Sequence, residues 1–136
     1  MLNRVRITKR TTFEAAHHIP NHYSKCANIH GHSYKLEVTI SGLIEAESLK
    51  NTEPNINPQL GMVLDFSSLK QHMEIVTAKY DHTDLNTYFS LPTAEVMAVT
   101  IFNDLVKEFD KYAVKVESVK LWETEDSYAE YRGEEE

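Results

Sequence analysis

A single cysteine, no long apolar run and a shortage of basic side chains bound this chain of 136 residues before any motif is read. The lone thiol, Cys26, excludes an intramolecular disulfide and fits a reducing compartment. No stretch approaches the roughly 20 consecutive apolar residues that a membrane-spanning helix needs. The opening Met1-Leu2-Asn3-Arg4-Val5-Arg6 lacks the apolar core of a signal peptide, so a cytoplasmic protein is expected. Lysine and arginine number 14 against 21 aspartates and glutamates, a net charge of −7. That balance argues against nucleic-acid binding, whose footprint is normally a basic face. An anionic small substrate needs only a local cluster of positive groups and stays open. No internal repeat, low-complexity block or domain boundary is visible, so one domain over residues 1–136 is expected, long enough to bury a core.

What is present reads as strands, then helices, then strands. Val5, Ile7, Lys9, Thr11 and Phe13 alternate with Arg4, Arg6, Thr8, Arg10 and Thr12, which predicts a strand. His17 to Ile29 carries Pro20, Asn21, Ser24 and Asn28 and reads as a loop. From His32 onward Tyr34, Leu36, Val38 and Ile40 alternate with Lys35, Glu37 and Thr39, a second strand. Glu45 to Leu60, with Pro54, Pro58 and three asparagines, reads as a polar, mobile connector, and Gly61 to Leu64 as a short extended piece. Phe66, Leu69, Met73, Val76 and Tyr80 recur at helical spacing behind a cap at Asp65 or Ser67. A second helix starts at Thr93 after Pro92, with its apolar stripe running from Ala94 to Tyr112. Val114 to Thr124 and Ser127 to Arg132 predict two further strands around a tight Glu125-Asp126 turn, and the glutamates from Glu134 to Glu136 read as a frayed tail. The order ββααββ gives an α+β fold, an antiparallel sheet with helices on one face.

The chemistry lies among the histidines. His30 and His32 stand two apart where loop becomes strand, so both imidazoles point to one side. If the first two strands form a hairpin, His17 comes opposite that pair. Three neutral imidazoles around zinc leave a fourth position for water or substrate, the pattern of a catalytic rather than a structural site. His18, His22 and His72 are read as ordinary histidines, His18 facing away from His17 and His72 on the polar side of its helix. Cys26, four residues before His30, has two readings: a fourth ligand that closes the site, or a free thiol acting as base or nucleophile. The ample apolar periodicity favours the second, because domains that depend on structural zinc usually lack a core. A thiolate beside a cation also works near neutrality. Asp81-His82 can serve as an orienting pair that accepts the thiol proton, or as a simple helix cap. Glu123 can be a solubilising charge or a clasp for the guanidine-like edge of a heterocycle.

The segments Phe13-Glu14-Ala15-Ala16-His17, Cys26-Ala27-Asn28-Ile29-His30-Gly31-His32-Ser33-Tyr34, Val63-Leu64-Asp65-Phe66, Asp81-His82-Thr83-Asp84-Leu85-Asn86, Pro92-Thr93-Ala94-Glu95-Val96 and Trp122-Glu123-Thr124 occur in this order along nearly the whole chain. Together they resemble the 6-pyruvoyl-tetrahydropterin synthase family. Within it, the three-residue gap between Cys26 and His30 looks like the bacterial 6-carboxy-tetrahydropterin synthases. The resemblance implies a tunnelling fold: a four-stranded antiparallel sheet with two helices on one face, oligomerising into a barrel as a homohexamer of two trimers with active sites between subunits. It implies zinc held by His17, His30 and His32, Cys26 as proton acceptor, Asp81 and His82 as a relay, and Glu123 as pterin anchor and relay member. Thr93 contributes to the pterin pocket in this picture. The implied substrate is 7,8-dihydroneopterin triphosphate, and the implied product is a 6-carboxy pterin used in queuosine synthesis. Lys25, Lys35 and Arg132 remain as candidates for the triphosphate by elimination, and the connector from Glu45 to Leu60 is longer than relatives lead one to expect.

Overall fold

The computed structural model describes residues 2–22, 24–51 and 55–136. Two long strands, β1 (Leu2–His17) and β2 (His30–Glu45), pair antiparallel in unbroken register from Leu2 opposite Glu45 to His17 opposite His30. Both outrun their alternating patterns. β2 begins at His30, where the sequence passes from loop to strand, because the ladder pairs His30 and Gly31 with His17 and Ala16. Helix α1 (Phe66–Thr77) is capped by Asp65, whose Oδ1 accepts the Ser67 amide at 2.8 Å. It buries Leu69, Met73 and Val76, leaves Phe66 half exposed, and stops before Tyr80, which packs from the following turn. After the two-residue β3 (Thr83–Asp84), α2 (Ala94–Glu108) starts on Thr93, whose hydroxyl accepts the Val96 amide. Its Met97, Ala98, Ile101, Phe102 and Leu105 form a buried stripe, while Tyr112 lies in the turn beyond it. Strands β4 (Lys115–Thr124) and β5 (Ser127–Tyr131) close the chain around the expected tight turn.

Among the described residues the sheet has five strands, in the order β3-β1-β2-β4-β5, not four. β3 runs parallel to β1, setting Thr83 opposite Ala15 and Asp84 opposite Ala16, and two residues are too few to leave a periodic signature. The helices cover one face. There Phe13, Tyr34, Leu36, Val38, Ile40, Val119 and Leu121 meet Leu69, Met73, Ile101 and Leu105 in one core. The other face carries the alternate residues, among them Arg10, whose Nε donates to Glu37 at 2.8 Å, and Trp122.

Three further expectations change. Gly61 to Leu64 is no strand; a 3-10 turn over Pro58–Gly61 hands on to irregular chain that covers the end of the hairpin. Gly42 explains the tight fit there, since a Cβ on it would meet the Val63 side chain at 2.9 Å. The polar connector is partly ordered, with β2 running to Glu45 and a 3-10 turn over Ala46–Leu49, whereas its residues 52–54, including Pro54, lie outside the described residues. His72 does not sit on a polar helix face. It bridges α1 to the end of α2, its Nδ1 donating to Glu108 at 2.7 Å and its Nε2 pairing with the Tyr112 hydroxyl at 2.9 Å. No helix among the described residues is long and apolar enough to cross a membrane.

Candidate metal centre

The hairpin register places His17, His30 and His32 on one face of adjacent strands, in series with Phe13 and Tyr34. Their three rings are mutually edge-on, with centroids 4.7, 4.9 and 4.8 Å apart. One nitrogen from each lies within 4.8 Å of the other two, and no cysteine or carboxylate belongs to this donor group among the described residues.

For two of the rings, His17 and His30, the hydrogen bond at the far side decides what the near side offers. His17 Nδ1 lies 2.7 Å from the carbonyl oxygen of Pro92, and His30 Nδ1 lies 2.7 Å from that of Asn28. A carbonyl only accepts, so both Nδ1 atoms carry the proton in the neutral rings. Their Nε2 lone pairs then face one another at 3.1 Å. Two bare acceptors at that distance repel unless a cation or a shared proton stands between them. The third member, His32, has a buried Nε2 with no hydrogen-bond partner. Burial foremost, then the His17 and His30 rings, lowers its proton affinity below the ordinary histidine range. Imidazoles that converge on one point, two of them held at the rear by backbone carbonyls, are what a divalent transition metal takes as ligands. The residues present therefore fit a zinc ion.

Glu123 also reaches the cluster, its Oε1 3.6 Å from His17 Nε2. It stands where the β4–β5 register slips, between the pairs Trp122–Tyr128 and Thr124–Ser127. Such a bulge re-aims a side chain and recurs next to active sites. With Ala94, Glu95, Ser127, Tyr128 and Ala129 it lines a pocket of about 280 Å³ at the start of α2. Thr93 spends its hydroxyl on capping that helix, and the carbonyl just before it, on Pro92, is the one that holds His17.

Cys26 sits half buried in a 3-10 turn over Lys25–Ala27, where its own carbonyl accepts the Ile19 amide at 2.7 Å. The arrangement speaks against the closed four-ligand reading, because the thiol lies outside the donor group. Asp81 and His82 form a pair at 3.0 Å. The Glu14 amide donates to Asp81 Oδ1 at 3.0 Å, and that bond, ahead of the contact with His82, holds the carboxyl below its usual range. His82 adopts the left-handed φ of 60° and donates its own amide to the Glu14 carbonyl. His82 and His32 line one open cleft of about 520 Å³ together with Glu14, Gly31 and Ser33. Of the triphosphate candidates, Lys25 lies in the cysteine turn, Lys35 stands 5.6 Å over the Trp122 ring, and Arg132 pairs with Glu130 at 3.5 Å.

Sequence reading missed the rear of the centre. Tyr34, two residues past His32 and on its face, brings its hydroxyl to 3.2 Å from His17 Nδ1, and period two carried that signal. The carbonyls of Asn28 and Pro92 carry none, since any residue supplies one. Asn86 was likewise unassigned; its amide group clamps the backbone of His18 from both sides, at 2.9 and 3.1 Å.

An α+β sheet-and-two-helix frame with three converging imidazoles defines a class of pocket-bearing proteins with a metal-competent triad. A family model described as 6-pyruvoyl tetrahydropterin synthase matches residues 6–134, and the chain belongs to that family. A Synechocystis protein named 6-carboxy-5,6,7,8-tetrahydropterin synthase is 38% identical over 128 residues, covering 92% of this chain and 91% of the relative. One of the same name from Haemophilus influenzae is 34% identical over 150 aligned residues, covering 93% and 98%. The solved structure of Caenorhabditis elegans 6-pyruvoyl tetrahydropterin synthase superposes with a TM-score of 0.78 at 24% identity, covering 97% of each chain, and shares the tunnelling fold.

Proposed function

We propose that this chain is a zinc-dependent 6-carboxy-5,6,7,8-tetrahydropterin synthase. It converts 7,8-dihydroneopterin triphosphate to 6-carboxy-tetrahydropterin, acetaldehyde and triphosphate in the cytoplasm, on the way to queuosine. The observation that carries the reading is the convergence of one ring nitrogen from each of His17, His30 and His32 to within 4.8 Å, in a chain whose relatives at 34–38% identity bear that name. His17, His30 and His32 would hold the metal. Zinc bound there would supply Lewis acidity able to acidify the substrate's side-chain hydroxyl groups.

The chain's own residues do the remaining work. Glu123, aimed by its bulge into the pocket at the start of α2, accepts hydrogen bonds from the amino and ring N–H groups of the pterin, with Thr93 fixing the helix end beside it. Cys26 Sγ takes a proton from the substrate side chain. Asp81 keeps its charge down to low pH and orients His82, which returns a proton. Cys26 and the Asp81-His82 pair need not belong to one subunit. A homohexamer of two trimers, with active sites between copies, brings the relay of one chain to the thiol of another. Two sheet edges that are free among the described residues support such an assembly: residues 2–13 of β1 pair on one side only, and so does β5.

The test is mass-spectrometric identification of the product formed from 7,8-dihydroneopterin triphosphate by the zinc-loaded protein. A 6-carboxy product with acetaldehyde is expected. A 6-pyruvoyl product would move the chain to the sister activity, and no turnover would leave a zinc-bearing binding module.

A further inference from the structure

We propose that Tyr34 is a positioning residue for the three-histidine centre, acting through His17; this rests on the metal reading above. Tyr34 is wholly excluded from solvent, and its ring lies flat on Phe13, centroids 5.0 Å apart at 8°. From that seat it presents an edge to His17 at 88° and to His32 at 73°. Its hydroxyl is the second oxygen to converge on His17 Nδ1, at 3.2 Å beside the Pro92 carbonyl at 2.7 Å.

The two oxygens do different things. The Pro92 carbonyl comes from the loop leading into α2, outside the sheet, and it fixes which nitrogen bears the proton. The Tyr34 hydroxyl comes from β2, the same strand as His30 and His32, and it ties His17 to the frame of its fellow ligands. With the proton on Nδ1 shared between two acceptors, the ring resists rotation about its Cβ–Cγ bond, and the Nε2 lone pair stays aimed at the cluster. Outer contacts of this kind typically change metal affinity by about 10- to 100-fold when removed. Tyr34 touches no substrate in this account; its effect reaches the reaction only through the aim of one ligand.

Tyr34→Phe deletes the hydroxyl and keeps the ring stack. Zinc affinity is measured by competition with a chromogenic chelator for the wild type, Tyr34→Phe, His17→Ala and Phe13→Leu, along with the visible absorption of the Co(II)-substituted proteins and the melting temperature of the metal-free ones. The expected result is at least tenfold weaker zinc binding in Tyr34→Phe, a shifted or broadened cobalt band, and a metal-free melting temperature close to that of wild type. Phe13→Leu loosens the same stack without touching the hydroxyl and should lower the melting temperature while leaving zinc affinity near wild type. Wild-type affinity and an unchanged cobalt band in Tyr34→Phe overturn the proposal, as does an equal loss of affinity in Phe13→Leu, which assigns the effect to packing. Should wild type and His17→Ala bind zinc alike, the metal reading itself has failed, an outcome distinct from the first two.

Discussion

Replacing His32 by leucine should raise the stability of the metal-free protein and abolish its response to zinc. The opposite signs are what make the substitution informative. His32 Nε2 is buried without a partner, and such an atom costs about 1–3 kcal/mol relative to an apolar group of similar shape. A chain of 136 residues unfolds with an entropy near 2.1 cal/mol/K per residue, so roughly 0.3 kcal/mol corresponds to one degree. The metal-free variant should therefore melt about 3–10 °C above the metal-free wild type. Zinc at a hundredfold excess over its dissociation constant stabilises a protein by about 2.7 kcal/mol, or about 9 °C here. Wild type should gain that increment and the variant should not. Thermal scans of EDTA-stripped protein, with and without added zinc, read both effects in one experiment. A lower melting temperature in the metal-free variant would refute the argument from the orphaned nitrogen. A preserved zinc increment would show that His32 is not a ligand.

Cys26→Ala should leave zinc content and melting temperature at wild-type values while turnover of 7,8-dihydroneopterin triphosphate disappears; loss of stoichiometric zinc would instead make the thiol a ligand. The depressed proton affinity of His32 fixes a pH trend for the metal-free protein. Above the ordinary value of 6.5 the ring is neutral folded and unfolded alike; as pH falls through that value the unfolded chain takes up the proton first, so stability drops until the lower folded value is passed. Urea midpoints between pH 8 and pH 5 should show this fall, and His32→Leu should flatten it. Ile101→Ala, at a fully buried position of α2 against the sheet, should cost about 3 kcal/mol, seen as a melting temperature roughly 10 °C lower; a change under two degrees would mean that α2 does not anchor the core as described.

Legibility in the sequence followed the range of the interactions. Tyr34 to Ile40 and the α2 stripe were plain because period two and period 3.6 are local. The donor triad was plain because His30-Gly31-His32 lies on one strand and a hairpin must bring His17 opposite. The true strand ends were not, because β1 and β2 extend by pairing with each other. Nor was β3, whose two residues depend on amides and carbonyls of β1. His72 was misplaced for a related reason: its partners, Glu108 and Tyr112, lie 36 and 40 residues away and make a half-buried site for a residue that helical phase alone leaves outside. Glu123 was identified by type and motif, whereas the bulge that turns it toward His17 is a property of the β4–β5 ladder.

The free edge of β1 carries Arg4, Arg6, Lys9 and Arg10, with no acidic residue before Glu14. Two such edges brought side by side would set Arg4 and Lys9 against like charge, with Arg6 and Arg10 partly balanced by Glu117 and Glu37, a destabilising arrangement where like charges are directly opposed. The molecule is thus insulated from fibre-like stacking through its longest exposed row of amides and carbonyls, while an edge of different composition meets no such barrier. The protection is ionic, and ions can remove it: at 1 M salt, where screening acts within about 3 Å, light scattering from dilute protein should rise rather than fall.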